Sequence, residues 1–215
     1  MTINELRPYF WSKDSILRMF SQRQLKGVVK SERYVCVDHG APLLLVAHID
    51  TVHTPRLDTV TKGAGFDDRL GVYAAHQLCL RYPTWFDLLL TDYEEQIAST
   101  AKFFEPTHQY HVVIGLDRER EDYVDYGLAS DELREVLRVV GFTRGIGTWS
   151  DIGSMDHVDC NKINVGLGAY NGHSTHSGFD LGEYHRQIAR VVAFARDYRE
   201  HVWPTAEYDD LGVEH

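Results

Sequence analysis

Four apolar runs punctuate the chain, and each leads into a residue that can hold a proton or a cation. Leu43-Leu44-Leu45-Val46-Ala47 meets His48 and, two positions on, Asp50. Trp85-Phe86-Asp87-Leu88-Leu89-Leu90 is followed by Glu94-Glu95, and His111-Val112-Val113-Ile114-Gly115-Leu116 by Asp117. Ile163-Asn164-Val165-Gly166-Leu167 leads into a segment with His173 and His176. Runs of this length, apolar without alternation, read as strands buried on both faces. Two shorter strands are expected at Val28-Val29 and at 34–37, closed by the turn-like Asp38-His39-Gly40.

Helical spacing fills the intervals. Ile16, Leu17 and Phe20 mark a helix over 12–21 that Ser12 or Asp14 can cap. From Asp68 to Tyr82 the sequence is apolar nearly all round, which suits a helix inside the domain. Residues 97–104 read as a short helix. Leu133, Val136, Leu137 and Val140 give an amphipathic one, with Gly141 where a C′ residue belongs. Leu181, Tyr184, Ile188, Val191, Ala195 and Tyr198 share one face of the last helix. The stretch from Asp50 to Asp67 reads as a loop. Strands alternating with helices predict an α/β protein, a three-layer α/β/α sandwich around a mostly parallel mixed sheet. One domain over 1–202 is expected, then an acidic tail over 203–215.

In open α/β sheets, sites form in the crevice outside the carboxyl ends of the strands. His48, Asp50, Asp67-Asp68, Glu94-Glu95, Asp117 and His173 or His176 all fall there, at intervals of about one βα step. So many carboxylates with two imidazoles would repel one another without cations. Mixed His and carboxylate donors suit Zn²⁺, and a carboxylate can bridge two ions. Asp50 can hold the second ring nitrogen of His48, since alternation puts the two side chains on one side.

Composition narrows the partners. A net charge of -10 disfavours nucleic acid and anionic membrane surfaces. No run approaches the ~20 apolar residues of a membrane span. Met1 to Pro8 lacks a basic start followed by an apolar run, so no secretory leader is expected. Cys36, Cys79 and Cys160 lie far apart, with no C-x-x-C spacing, and read as free thiols in a reducing compartment. The expectation is a cytoplasmic protein.

Taken in order, His48-Ile49-Asp50-Thr51-Val52, Asp67-Asp68-Arg69-Leu70-Gly71, Glu94-Glu95, Asp117 and His176-Ser177-Gly178-Phe179-Asp180 resemble the successive motifs of the co-catalytic zinc peptidases. That superfamily includes the bacterial leucyl, tetrahedral and glutamyl aminopeptidases and the carboxypeptidase/deacylase enzymes. The resemblance spans roughly residues 40–185. Each motif is weak alone; five in order are specific.

The resemblance implies a phosphorylase/hydrolase-like zinc peptidase fold, a cis Asp67–Asp68 peptide and two divalent ions, zinc first, with cobalt or manganese able to replace it. Asp67 would bridge the ions. His48 and Asp117 would complete one site, Glu95 and His176 the other, with His173 the alternative last ligand. Glu94 would be the general base, and Asp50 would orient His48. The implied function is hydrolysis of a peptide or small amide, most simply by an aminopeptidase. The alternatives are an N-acyl amino acid deacylase and a non-catalytic metal-binding domain. Larger relatives carry an inserted domain, for which gaps of 19 and 59 residues leave no room here. Specificity would then come from the chain's own loops or from a neighbouring copy in a homo-oligomer. Thr148-Trp149-Ser150-Asp151-Ile152 resembles a Ser-Asp element of some relatives, though a helix cap by Ser150 or Asp151 explains it at least as well. Arg69 and Arg118 read as structural ion-pair partners, with contact to a substrate carboxylate the alternative for Arg118.

Overall fold

The computed structural model describes residues 1–22, 28–30 and 33–206. Its centre is the strand β3 (Leu43–His48), buried along its whole length. Parallel to it lie β6 (Phe86–Thr91) on one side and β7 (Val112–Glu119) on the other, with β9 (Asn161–Tyr170) parallel to β7. Antiparallel strands extend this core. β2 (Val35–Val37) and β1 (Val28–Lys30) follow β6 at one edge. At the other edge β9 is followed by β10 (Ser177–Phe179), β5 (Lys62–Ala64) and β4 (Arg56–Leu57). The two-residue β8 (Tyr123–Val124) pairs beside β9. The sheet is therefore mixed, parallel at its centre and antiparallel at its flanks.

Alternation along the strands divides the core in two. Leu43, Leu45 and Ala47, with Phe86, Leu88 and Leu90 and with Val112, Ile114 and Leu116, pack under the helices. These are α1 (Ile3–Leu6), α2 (Lys13–Gln22), α3 (Phe66–Arg81), α4 (Asp131–Val140) and α5 (Leu181–Tyr198), and every one contributes to this side. α3 is buried nearly all round, as its uniform apolar pattern requires. α4 is capped by Ser130, whose hydroxyl accepts the Leu133 N–H, and ends at Gly141 with φ of 100°.

The opposite face carries Leu44, Val46, Leu89 and Val113. The outer layer expected there contains no α-helix among the described residues. It consists of two short 3₁₀ turns, Thr100–Phe103 and Asp151–Ser154, with Phe104, Tyr110, Met155 and Val158. His48 and Thr91 follow the same alternation onto this thinly covered face.

Two segments differ from their sequence reading. Residues 50–67 are not all loop, because β4 and β5 zip onto β10 and widen the sheet. Strands of two or three residues have no alternation to read. Trp203, where the tail was expected to begin, is buried against Phe194 with ring centroids 6.3 Å apart. Asn161 Nδ2 also donates to the Pro204 carbonyl at 2.8 Å. Packing therefore continues past 202, and residues 207–215 lie outside the described residues. All three cysteines are free. Among the described residues no helix is long and apolar enough to cross a membrane.

Candidate metal centre

The parallel register sets His48 beside Thr91 of β6, and Val46 beside Gly115 of β7. Two residues further along β7 is Asp117, so adjacent strands deliver an imidazole and a carboxylate to one crevice. His48 Nε2 lies 3.1 Å from Asp117 Oδ1 and 3.3 Å from Asp67 Oδ1. Its other nitrogen, Nδ1, is 3.1 Å from the Asp50 carbonyl and 3.3 Å from the Asp50 carboxylate. Nδ1–H therefore donates to Asp50, which leaves Nε2 as the ring nitrogen that faces the two aspartates. The Asp50 carboxylate also accepts the backbone N–H groups of Glu94 and Glu95, at 3.2 and 3.1 Å. One side chain thus ties the end of β3 to the turn beyond β6.

Asp67 enters at the head of α3, where the chain is not yet helical and the Asp67–Asp68 peptide is cis. Its second oxygen serves a second set of donors. Asp67 Oδ2 lies 3.3 Å from His173 Nε2, and Glu95 Oε2 lies 3.1 Å from the same nitrogen. Two triads result, His48–Asp67–Asp117 and Asp67–Glu95–His173, each with ligand atoms within 4.8 Å of one another. Glu94 belongs to neither, and its Oε2 is 3.8 Å from His48 Nε2.

His176, expected as the last ligand, stays outside the crevice. Its Nδ1 is 3.1 Å from the hydroxyl of Thr175, and it leads directly into β10. That strand pairs Ser177 with Gly63, which commits His176 to the start of a strand held between β9 and β5. His173, three residues earlier in the loop, sits above Asp67 instead.

The electrostatics are those of a crowded anionic cluster. Burial pushes Asp117 well above the usual carboxylate range, and the His48 charge offsets this only in part. Burial likewise raises Glu94 to about 7, opposed by His48 and reinforced by Asp151, Asp67 and Glu95. Glu95 is raised by burial and then by Asp67. His173 is raised to about 9, first by its hydrogen bond to Asp67. Asp67 is also pushed up by burial, yet contacts with His173 and His48 drive it far below the usual range. Glu95 Oε1 is buried without a hydrogen-bond partner. An orphaned carboxylate oxygen, a carboxylate shared by two imidazoles and a mixed His/Asp/Glu donor set all fit divalent ions of the zinc type.

The surroundings brace this arrangement. Asp151 is buried and accepts hydrogen bonds from Thr91 Oγ1 at 2.5 Å and from Ser99 Oγ. The Ser-Asp element is therefore a buried anchor behind Glu94, and Ser150 makes no side-chain cap to the 3₁₀ turn. Arg118 is held by Asp122 and the Ile146 carbonyl, and buried Arg69 donates to the Tyr9 carbonyl. Arg118 is an ion-pair partner, as expected, whereas Arg69 donates to a backbone carbonyl and not to a carboxylate. A third cluster, Asp38, Asp87 and His108, lies toward the opposite end of the sheet. Its Asp87 carboxylate is already satisfied by the His39 and Ala41 N–H groups and the Tyr110 hydroxyl. Neither this clasp nor the Thr91–Ser99–Asp151 anchor was visible as a motif, because their members are strand and loop residues with no fixed spacing.

No model of a known protein family matches the sequence, and no curated protein matches it. Solved structures do. A TET aminopeptidase from a marine sediment archaeon of the Thaumarchaeota superposes with a TM-score of 0.68 at 11% identity, covering 91% of this chain and 96% of the other. A Zn-dependent exopeptidase from Parabacteroides distasonis gives 0.59 at 14% identity, covering 91% and 95%. The fold is that of the zinc peptidases. A glutaminyl cyclase from Bacteroides thetaiotaomicron shares it as well, at 0.60 and 13% identity over 91% and 94% of the two chains. At such identities the likeness establishes the fold, and the chemistry has to be argued from the site.

Proposed function

We propose that the chain is a two-metal peptidase, specifically an aminopeptidase. The observation that carries this is the position of Asp67, one oxygen toward His48 and Asp117, the other toward His173 and Glu95. In this reading His48, Asp67 and Asp117 hold one ion, and Asp67, Glu95 and His173 the other. The bound ions would supply Lewis-acid polarisation of the scissile carbonyl and of a water.

The remaining steps belong to the protein. Glu94 Oε2 takes the proton of the attacking water and returns it to the leaving nitrogen. Position suits Glu94 to this exchange, because it lies beside both donor sets and belongs to neither. Asp50 holds His48 in the tautomer that leaves Nε2 free. The same Asp50 fixes the backbone of Glu94 and Glu95, so base and ligand keep a constant separation.

The preference for an amine terminus follows from charge. The groups facing the crevice are carboxylates and imidazoles, and the two nearby arginines are engaged elsewhere, Arg118 with Asp122 and Arg69 in the interior. Neither arginine is free to meet a substrate carboxylate, whereas the carboxylates of the crevice would attract a free amine. Assay of amino-acid p-nitroanilides beside N-acetyl amino acids, with Zn²⁺, Co²⁺ or Mn²⁺ supplied, tests the reading. Turnover of the p-nitroanilides alone is expected. Turnover of only the N-acetyl compounds would make the chain a deacylase. Inertness toward both, with two ions bound, would make it a metal-binding domain.

A further inference from the structure

The second donor set depends on a loop, and one carboxylate outside both triads holds that loop in place. We propose that Glu119 is the positioning residue that fixes the His173 loop over Asp67 and thereby sets the affinity of the second metal site. The inference rests on the two-metal reading above.

His173 lies between β9 and β10, and its side chain is 69% exposed, so packing does little to fix it. Its backbone is fixed by hydrogen bonds. The N–H of Gly172, the residue just before it, donates to Glu119 Oε1 at 2.6 Å. On the far side, His53 Nε2 lies 3.3 Å from the His173 carbonyl, and Arg56 donates to the Thr175 carbonyl at 3.3 Å. The Glu119 contact is the shortest of these, and it joins a side-chain carboxylate to the backbone next to the ligand.

Steric fit gives the same answer. A Cβ on Gly172 would sit 2.9 Å from the Asp67 Cβ and closer still to its Oδ2. The Gly172 backbone therefore rests directly on the shared carboxylate, and a small shift of this loop moves His173 relative to Asp67. Glu119 is well placed to prevent that shift. It is the last residue of β7, two beyond Asp117 of the first donor set. The β7–β9 register shifts between Arg118 and Glu119, where Gly166 and Ala169 are their partners. Glu119 thus stands where the regular ladder ends and the loop begins, and links the strand of one metal site to the loop of the other.

The role is one of position, because Glu119 reaches neither triad directly. Outer partners of metal ligands typically contribute ~10- to 100-fold to affinity. Glu119→Ala is expected to weaken uptake of the second equivalent of Co²⁺ by about that factor, read from the visible absorption of the loaded protein. The first equivalent should bind as in the parent. Glu119→Gln, which keeps an acceptor oxygen for the Gly172 N–H, should recover most of the loss. Since Glu119 is an exposed strand end, the melting temperature of the metal-free protein should hardly change in either variant. Equal weakening of both equivalents, or no rescue by Gln, would overturn the inference, as would an unchanged second equivalent in Glu119→Ala. If the parent protein itself takes up only one equivalent, the two-metal reading fails first and takes this one with it.

Discussion

The two donor sets share Asp67 and differ in almost everything else. The first is built on the sheet: His48 ends β3, Asp117 lies in β7, and their side chains are 0% and 10% exposed. The second is built on turns: Glu95 follows β6 in a short 3₁₀ turn, and His173 rides an exposed loop. Strand-borne groups are held by neighbouring strands on both sides, and loop-borne groups only by their own hydrogen bonds. The sheet therefore supplies one rigid site, and the loop supplies one that can be tuned or lost separately.

The largest effect is expected at the group that belongs to neither set. Glu94→Gln keeps the shape and removes the base, so turnover should fall by about 10²- to 10⁴-fold while two equivalents of metal remain bound. A variant that keeps both ions and full activity would remove Glu94 from the mechanism.

Asp50 should blur the contrast between the sites, because it touches both. Asp50→Ala frees His48 Nδ1 and also the Glu94–Glu95 turn. A drop of ~10- to 100-fold in metal affinity is expected at each site, measured by competition with a chelator. Loss confined to the first site would show that the Glu95 turn holds itself.

The fold offers a third comparison. Leu45, fully buried in the central strand, should cost about 2–5 kcal/mol of unfolding free energy when cut to Ala. Ile97, exposed beside the Glu94–Glu95 turn, should cost less than about 0.5 kcal/mol. Urea melts of the metal-free variants check both, and a comparable loss in Ile97→Ala would reveal packing against the turn. The smallest effect should come from His176→Ala, with metal content unchanged, because its ring faces Thr175.

The same contrast explains what could be read beforehand. The buried strands announced themselves as apolar runs, and their carboxyl-terminal residues marked the first donor set, with Asp50 behind His48. The choice between His173 and His176 could not be made that way. Both precede a Ser, and spacing to Asp180 favours His176. Residues 177–179 form a strand that pairs with Gly63, far away in the sequence, and with Ala169, and it is His173 that comes within 3.3 Å of Asp67. Glu119 was invisible for a related reason: its partner is a backbone N–H 53 residues away. Trp203 was missed because the helical pattern ends at Tyr198, and only the turn of the chain returns its ring to Phe194 and Tyr198.

The shared carboxylate is best tested by counting ions. Parent protein, His173→Ala and His176→Ala would be dialysed side by side against buffered zinc, and bound metal measured by elemental analysis. Two equivalents are expected in the parent and in His176→Ala, and one in His173→Ala, held by His48, Asp67 and Asp117. A parent that saturates at one equivalent, or a His173→Ala protein that retains two, would contradict the arrangement of both sites around Asp67.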